Sequence, residues 1–199
     1  MMLKKTEKLE AYKKYGTRIG TKSVNAAIDK FVFKKIANKF TILNIKLIDE
    51  RIKLASKMLG KYNRKDVLLI CTLDSAYYSI YNFAKLMKIS VNFGRYLAGS
   101  LTNINYKNFF EPRILLVTDP SVNRRAINDA KRINIPIVGI CDTDNSASFI
   151  DIIIPGNNKS GNSIGLILYL LAYEMGTKEE REKLESVTID DFISKELDF

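Results

Sequence analysis

The segment IPGNNKSGNSIG, residues 154–165, has the glycine spacing of a phosphate-binding loop, because four residues separate Gly156 from Gly161. Such a loop continues with Lys and then Ser or Thr, which reach the outer phosphates and bind magnesium. Here Asn162 and Ser163 follow instead, and Lys159 lies inside the loop. The simpler interpretation is structural. The glycines would permit a turn and close packing, and Ser160 or Ser163 would cap the following helix.

Polar residues also follow several apolar runs, at residues 72–74, 118–119, 142–144 and 157–159. In a parallel sheet the carboxyl ends of the strands meet at one edge, where ligands usually bind. Asp119, Asp142 and Asp144 could hold magnesium there. An Asp after a strand more often caps a helix or forms a turn, which is the interpretation we favour. An enzyme that binds a phosphorylated metabolite or nucleotide at this edge remains the alternative function.

Other catalytic and metal chemistry has little support in the residue types. The chain has no His, which excludes Ser-His-Asp and Cys-His catalysis and every zinc site that needs an imidazole. It has only two Cys, each closing an apolar run, so both are expected to be buried free thiols. The dinucleotide fingerprint G-x-G-x-x-G is absent. We therefore expect no cofactor, no small-molecule substrate and no enzymatic activity.

The elements that would position these residues alternate between strand and helix. DVLLICTL, RILLVTD and IPIVGICD are continuous apolar runs, as expected for strands buried on both faces. Helices are predicted between them, including one capped by Asp74 or Ser75 and one capped by Asp119 with Pro120 at its first position. Two short strands are predicted within residues 30–45. Strand alternation places Phe31 and Phe33 in the core rather than in a base-stacking platform. This order predicts an α/β domain with a parallel sheet covered on both faces.

Charge divides the chain into three parts. Residues 1–65 have 18 Lys and Arg against 5 Asp and Glu, whereas residues 66–175 have 10 against 9. The last part, residues 176–199, has 4 against 8. We predict a basic N-terminal helix at residues 1–15, a single domain at 16–176 and an acidic tail at 177–199. The basic part would attract a polyanion, chiefly nucleic acid, and no apolar run is long enough to predict a membrane span.

Five segments occur in this order between Gly16 and about Met175: GTRIGTKSVNAAIDKFVFKKIANKFTILNIKLIDERI, GRYLAGSLTN, EPRILLVTDP, NIPIVGICDTD and IDIIIPGNNKSGNSIGLILYLLA. Together they resemble the ribosomal protein S-two family in its eukaryotic and archaeal branch. Bacterial relatives have a coiled-coil insertion after the segment that matches GSLTN, and here a short connection follows instead. Animal members have a long acidic tail and are also called laminin-receptor precursors. This sequence ends at Phe199, so we expect a ribosomal role rather than a laminin-binding one.

The resemblance implies a three-layer α/β/α sandwich of flavodoxin- or Rossmann-like type, without a catalytic role. It implies a cytoplasmic structural constituent of the small ribosomal subunit at the head–body junction, needed for subunit assembly and translation. The implied partners are small-subunit ribosomal RNA and neighbouring proteins, among them universal protein five and eukaryotic proteins seventeen and twenty-one. We assign RNA contacts to basic residues in or beside the matching segments or in the basic third of the chain. They are Arg18, Lys22, Lys34, Lys35, Lys46, Arg51, Arg95 and Lys159.

Overall fold

The computed structural model describes residues 5–36, 39–107 and 109–199. The helices are α1 (Lys5–Lys14), α2 (Ala26–Asp29), α3 (Ile45–Leu59), α4 (Tyr77–Met87), α5 (Arg124–Arg132), α6 (Gly161–Met175), α7 (Lys178–Glu185) and α8 (Ile189–Ser194). The strands are β1 (Ile19–Gly20), β2 (Val32–Lys35), β3 (Thr41–Leu43), β4 (Val67–Cys71), β5 (Ser90–Phe93), β6 (Ile114–Val117), β7 (Ile137–Cys141) and β8 (Ile152–Pro155). Short 3₁₀ turns occur at Arg64–Asp66 and Asp74–Ala76.

Strands β4 to β8 form one parallel sheet in the order β5-β4-β6-β7-β8. Counted along this sheet, that order is 2-1-3-4-5, the flavodoxin-like order. Successive strands are added on one side of β4 and then on the other, so the topological switch point lies between β4 and β6. Both faces are covered, since every residue of β4, β6 and β7 is buried. The predicted three-layer α/β/α sandwich is confirmed.

Successive side chains of β4 and β6 enter different halves of the core, because strand side chains alternate between the two faces. Val67, Leu69 and Cys71 belong to the larger cluster, which includes α3, α4 and α6. Leu68 and Ile70 belong to a smaller cluster that α5 covers together with residues of the loop after β5. The two cysteines are free and buried, as expected.

The N-terminal part of the chain forms a second, antiparallel sheet in the order β1-β3-β2. The two predicted strands correspond to β2 and β3. The register between them shifts between Val32 and Lys34, which is a β-bulge. Phe31 is buried, but Phe33 is 71% exposed, so the prediction of a core position was wrong for Phe33. The bulge inserts an extra residue into β2 and breaks the alternation on which that prediction depended.

Two predicted helix starts were also wrong. Asp119 does not cap a helix, because its Oδ1 accepts a hydrogen bond from the Ser121 amide at 2.8 Å in a local turn. Helix α5 therefore begins only at Arg124, after the turn that contains Pro120. Likewise, Asp74 opens a 3₁₀ turn, and α4 begins at Tyr77 without a side-chain cap. Asp and Ser side chains that hydrogen-bond locally favour such turns as readily as helix caps.

The acidic C-terminal segment, residues 177–199, packs on the sandwich. Thr177 and Glu180 form a capping box at the start of α7. Leu184 and Phe192 are fully buried, and the Asn82 amide donates to the carbonyl oxygens of Phe192 and Lys195 at 2.8 and 2.6 Å. Hydrophobic contacts and hydrogen bonds thus join this segment to α4 and α6. Within the residues described, no helix has the length and apolar character needed to cross a membrane.

Candidate nucleic-acid interface

The loop that resembles a phosphate-binding loop connects β8 to α6, and packing explains its glycines. A Cβ atom at Gly156 would lie 2.7 Å from Cδ1 of Ile167, and one at Gly161 would overlap the carbonyl group of Ser75. The predicted caps are wrong. Ser160 occupies the N-cap position without a side-chain cap bond, and the buried Ser163 hydroxyl has no hydrogen-bond partner among the described residues. The close approach of α6 to the turn before α4 leaves no room for phosphates at Gly161.

The asparagines of this loop are used within the protein. The Asn158 amide donates to the Ile140 carbonyl oxygen at 3.2 Å and to Oδ1 of Asn145 at 2.7 Å. The backbone amide of Asn157 donates to the Thr17 carbonyl oxygen at 3.0 Å. The Asn157 backbone amide and the Asn158 side-chain nitrogen are therefore used in internal hydrogen bonds, although the buried Asn158 Oδ1 has no partner among the described residues.

The chain's own N-terminal segment, residues 17–25, covers this half of the carboxyl edge. The Thr21 amide donates to Oγ1 of Thr143 at 2.8 Å, and the Asn25 amide donates to the Thr143 carbonyl oxygen at 2.7 Å. A Cβ atom at Gly20 would come within 3.2 Å of Asp142 and closer still to the Thr143 side chain. At the ends of β7 and β8, where a ligand would bind in related folds, the protein binds its own backbone.

The carboxylates at this edge have separate structural roles. Asp142 is buried, and its Oδ1 accepts a hydrogen bond from the Thr143 amide at 2.6 Å. Asp119 forms the turn before α5, and Asp144 pairs with Lys159. Among the side chains of the described ranges, no three His, Cys, Asp or Glu residues lie close enough together to hold a metal ion. The geometry therefore supports turn and positioning roles for these Asp residues.

Asp142 should make stability depend on pH. Burial raises the pKa of this carboxyl group, although the Thr143 amide bond opposes the shift. Its folded-state pKa is thus above the unfolded value, and the stability it contributes is lost as pH rises through the folded pKa. The variant Asp142→Asn keeps the acceptor oxygen but has no charge to bury. We expect the melting temperature of Asp142→Asn to rise relative to that of the wild type as pH increases from about 4 to 7, the range above the ordinary Asp pKa.

The matched control is Asp74→Asn, because Asp74 is exposed. Thermal melts of the three proteins over this pH series test the prediction. A difference between Asp142→Asn and the wild type that does not change with pH would contradict it.

The eight basic candidates differ in whether they are already paired. Lys159 pairs with Asp144 and Lys35 pairs with Asp29 at 2.7 Å, while the Arg51 guanidinium lies 5.1 Å from the centre of the Phe31 ring. Burial lowers the pKa of Lys159, but the hydrogen bond and charge of Asp144 outweigh it, so the pKa is raised. The other five candidates make no side-chain hydrogen bond or ion pair within the described ranges. They are Arg18, Lys22, Lys34, Lys46 and Arg95.

Four of these unpaired cations lie on or beside the N-terminal sheet and form what we call the basic face: Arg18, Lys22, Lys34 and Lys46. Arg18 and Lys46 line one groove of about 320 Å³ together with Phe33, where α1 and α3 flank the sheet. The Asn44 side chain caps α3 by accepting from the Lys46 amide at 3.1 Å. No acidic residue lies in the first turn of α3, so its helix dipole adds to the positive potential of the basic face.

Arg95 and Lys159 are not part of this face. Arg95 follows β5 and Lys159 follows β8, and these strands are the two edges of the five-stranded sheet. Four strand spacings of ~4.8 Å place the two edges about 19 Å apart. The eight candidates therefore occupy at least three separate regions of the surface.

Two surface features were not predicted from the sequence. Arg125, which the sequence places only on a basic helix, lines a cleft together with Arg95. Tyr77, Tyr81 and Phe93 form an aromatic cluster, with the Tyr77 ring centre 4.9 Å from that of Phe93. Helical periodicity could have grouped Tyr77 with Tyr81, because they are four residues apart. The position of Arg125 beside Arg95 depends on the strand order, for which the sequence has no local signal.

Comparisons with known proteins agree with the fold and with the resemblance noted from the sequence. A family model described as "Ribosomal protein S2" matches residues 106–176. "Small ribosomal subunit protein uS2" from Methanococcus maripaludis (strain C5) is 36% identical over 166 residues, which is 83% of this chain and 76% of that protein. The protein of the same description from Nanoarchaeum equitans is 35% identical over 191 residues, 94% of each chain. Another, from Thermoplasma acidophilum, is 34% identical over 187 residues, 92% of this chain and 94% of its own length. Since this identity extends over most of the chain, the protein belongs to the ribosomal protein S2 (uS2) family.

Proposed function

We propose that this protein is a structural constituent of the small ribosomal subunit that binds ribosomal RNA through its basic face and supports subunit assembly and translation. The observation that carries the proposal is the set of unpaired cations beside the N-terminal sheet. Lys and Arg side chains without carboxylate partners are free to replace counterions on RNA phosphates. Such contacts fix the position of a protein on RNA without reading its bases.

Neighbouring ribosomal proteins are the second class of partner that we propose. The central part of the chain is nearly neutral and the last 24 residues are acidic, so both suit protein surfaces better than RNA. The family resemblance suggests universal protein five and eukaryotic proteins seventeen and twenty-one as neighbours at the head–body junction. On this proposal the protein works in the cytoplasm, on ribosomes.

We propose no catalytic role. The chain contains no His, and the carboxylates at the ends of β6 and β7 are engaged in turns, backbone contacts and an ion pair. The N-terminal segment covers the ends of β7 and β8. Residues that could bind a substrate at this half of the edge instead hold the protein together.

The basic face can be tested with the double variant Lys34→Ala/Lys35→Ala, which removes Lys34 of the face together with the adjacent Lys35, whose surface pair with Asp29 an RNA phosphate would replace. We expect it to bind small subunits more weakly, and the slope of log affinity against log salt to fall by about 1.5 units, because each phosphate contact contributes about 0.7–0.9. The fold should be retained. The lysines are exposed, and the Lys35–Asp29 ion pair at the surface is worth at most about 1 kcal/mol.

The control variant is Lys57→Ala/Lys61→Ala, which removes two exposed lysines near the other end of α3. Lys57 lies about 17 Å from Lys46 along the helix, at a rise of about 1.5 Å per residue. Gradient sedimentation at several salt concentrations and thermal melts are compared for the three proteins. If Lys34→Ala/Lys35→Ala assembles like the wild type while its thermal stability falls, the assignment of these contacts is wrong.

A further inference from the structure

A cleft of about 490 Å³ lies at the carboxyl edge of the central sheet, on the half that the N-terminal segment does not cover. Its lining comes from the ends of β4 and β5 and from the start of α5. The lining residues are Thr72, Gly94, Arg95, Tyr96, Val122, Asn123 and Arg125. The strand order reverses between β4 and β6 at this point, and such a switch point is where open α/β sheets bind ligands. The volume is in the range of small-ligand sites.

The cleft is positively charged. No Asp or Glu lines it, and the exposed side chains of Arg95 and Arg125 make no hydrogen bond or ion pair with any residue that the structure describes. The nearby Asp129 carboxylate is committed elsewhere, since it accepts from the Tyr96 hydroxyl at 3.0 Å and the Gly99 amide at 2.8 Å. Two unpaired guanidinium groups are suited to a phosphate, which they can contact through two hydrogen bonds each.

The start of α5 adds to this potential. The helix has nine residues, and no acidic residue lies in its first turn. The first amides of a helix have no partner within it and point toward its N-terminal end, where the helix dipole favours an anion. Gly94 has a φ of +73° and open space where a Cβ atom would be, so the backbone at the mouth of the cleft is accessible to a ligand.

A buried acceptor without a donor also lies among the residues that line the cleft. Asn123 is 2% exposed, and its side-chain amide donates to the Asp119 carbonyl oxygen at 3.0 Å. Its Oδ1 is buried and has no hydrogen-bond donor among the described residues. Buried polar atoms without a partner are uncommon, and each one needs a donor from water or from a ligand. A sugar hydroxyl or a base amino group would supply one.

We propose that this cleft binds a nucleotide, with Arg95 and Arg125 holding its phosphate and Asn123 accepting a hydrogen bond from its ribose or base. Two ligands have this chemistry: a nucleotide residue of ribosomal RNA and a free nucleotide. Binding of RNA in the cleft rests on the proposed function, and binding of a free nucleotide does not. Of the two ligands, RNA agrees better with the further unpaired cations on the basic face.

The first arm of the test uses small subunits and the full-length chain. The variant Arg95→Ala/Arg125→Ala is compared with Arg124→Ala/Lys57→Ala, which removes two exposed cations that do not line the cleft. We expect the salt slope of subunit binding to fall by about 1.5 units in the first variant, at about 0.7–0.9 per phosphate contact, and to stay unchanged in the second. Because all four side chains are exposed, thermal melts should show both variants folded. Failure of the wild type to bind subunits would count against the proposed function, independently of the cleft.

The second arm titrates the isolated protein with adenosine monophosphate and with inorganic phosphate, following the backbone amide NMR signals of Gly94 and Asn123, which line the cleft and are present in every variant. Saturable chemical-shift changes with adenosine monophosphate that are absent in Arg95→Ala/Arg125→Ala identify a free nucleotide as the ligand of the cleft. A changed salt slope of subunit binding without such shift changes identifies RNA as the ligand. If Arg95→Ala/Arg125→Ala matches the wild type in both arms, the proposal is overturned.

A photocrosslink separates RNA from a protein partner. Val122 lines the cleft and is 62% exposed, so benzoylphenylalanine at this position should be tolerated. In subunits, the expected adduct is destroyed by ribonuclease. An adduct that only protease removes would show that an acidic protein occupies the cleft, and would overturn the proposal.

Discussion

The variant Phe192→Ala is expected to lose about 3–5 kcal/mol of unfolding free energy, the usual loss for a buried Phe. Phe192 is fully buried, its ring packs edge-on against Tyr169 with 5.4 Å between centres, and its carbonyl oxygen accepts from Asn82. Removal of the ring would leave a cavity between α6 and α8. For a chain of this size the melting temperature should fall by about 6–20 °C, at 2–4 °C per kcal/mol.

Phe33→Ala is the matched control, because the same change at a residue that is 71% exposed should alter stability by no more than about 0.5 kcal/mol. Denaturant unfolding of both variants measures the difference. If Phe192→Ala were as stable as Phe33→Ala, the acidic C-terminal segment would be an appendage rather than part of the core. A large loss confined to Phe192→Ala would show that the segment unfolds together with the sandwich.

The variant Gly161→Ala is expected to destabilise the protein, although helix propensity alone predicts the opposite. Alanine in a helix is favoured over glycine by up to about 1 kcal/mol. At this position, however, the added Cβ would overlap the backbone carbonyl group of Ser75, which a side-chain rotation cannot relieve. Overpacking of this kind costs about 1–3 kcal/mol and sometimes more. The packing effect is larger, so we expect a net loss of about 2 kcal/mol.

The neighbouring variant Asn162→Ala controls for propensity, since Asn162 is exposed in the same turn of α6. It should be neutral or slightly stabilising, by up to about 0.5 kcal/mol. Chemical denaturation of Gly161→Ala, Asn162→Ala and the wild type tests the difference. A gain of stability in Gly161→Ala would mean that α6 does not lie against the Ser75 turn, and that the glycine spacing needs another explanation.

The fold could be predicted because its strongest signals are local. β4, β6 and β7 are continuous apolar runs. A strand that is buried on both faces needs apolar side chains at nearly every position, so this pattern predicts such strands directly. The starts of α4 and α5 could not be predicted, because the same Asp and Ser residues satisfy a turn and a helix cap equally well. Phe33 was misplaced since a bulge has no signature in a short strand.

The site was harder to predict because charge alone does not show which cations are free. Lys159 and Lys35 had the same sequence support as Lys34, yet each has a carboxylate partner, Asp144 or Asp29. Lys159 and Asp144 are 15 residues apart and meet because their loops follow the neighbouring strands β8 and β7. Only the strand order brings such residues together, and no short sequence pattern indicates the strand order.

The N-terminal segment explains how a ligand-binding scaffold can serve a structural role. Residues 17–25 cover the ends of β7 and β8, and the segment that continues from them presents the basic face. One stretch of chain thus covers half of the carboxyl edge and supplies the unpaired cations. The N-terminal segment does not cover the cleft that Arg95 and Arg125 line at the ends of β4 and β5.

Sedimentation of the tagged full-length chain through a gradient tests the central claim most directly. We expect the protein to migrate with small ribosomal subunits at one copy per subunit, and to be released in a salt-dependent manner as its phosphate contacts are replaced by counterions. Absence of the chain from purified small subunits at low salt would contradict its proposed role as a ribosomal constituent.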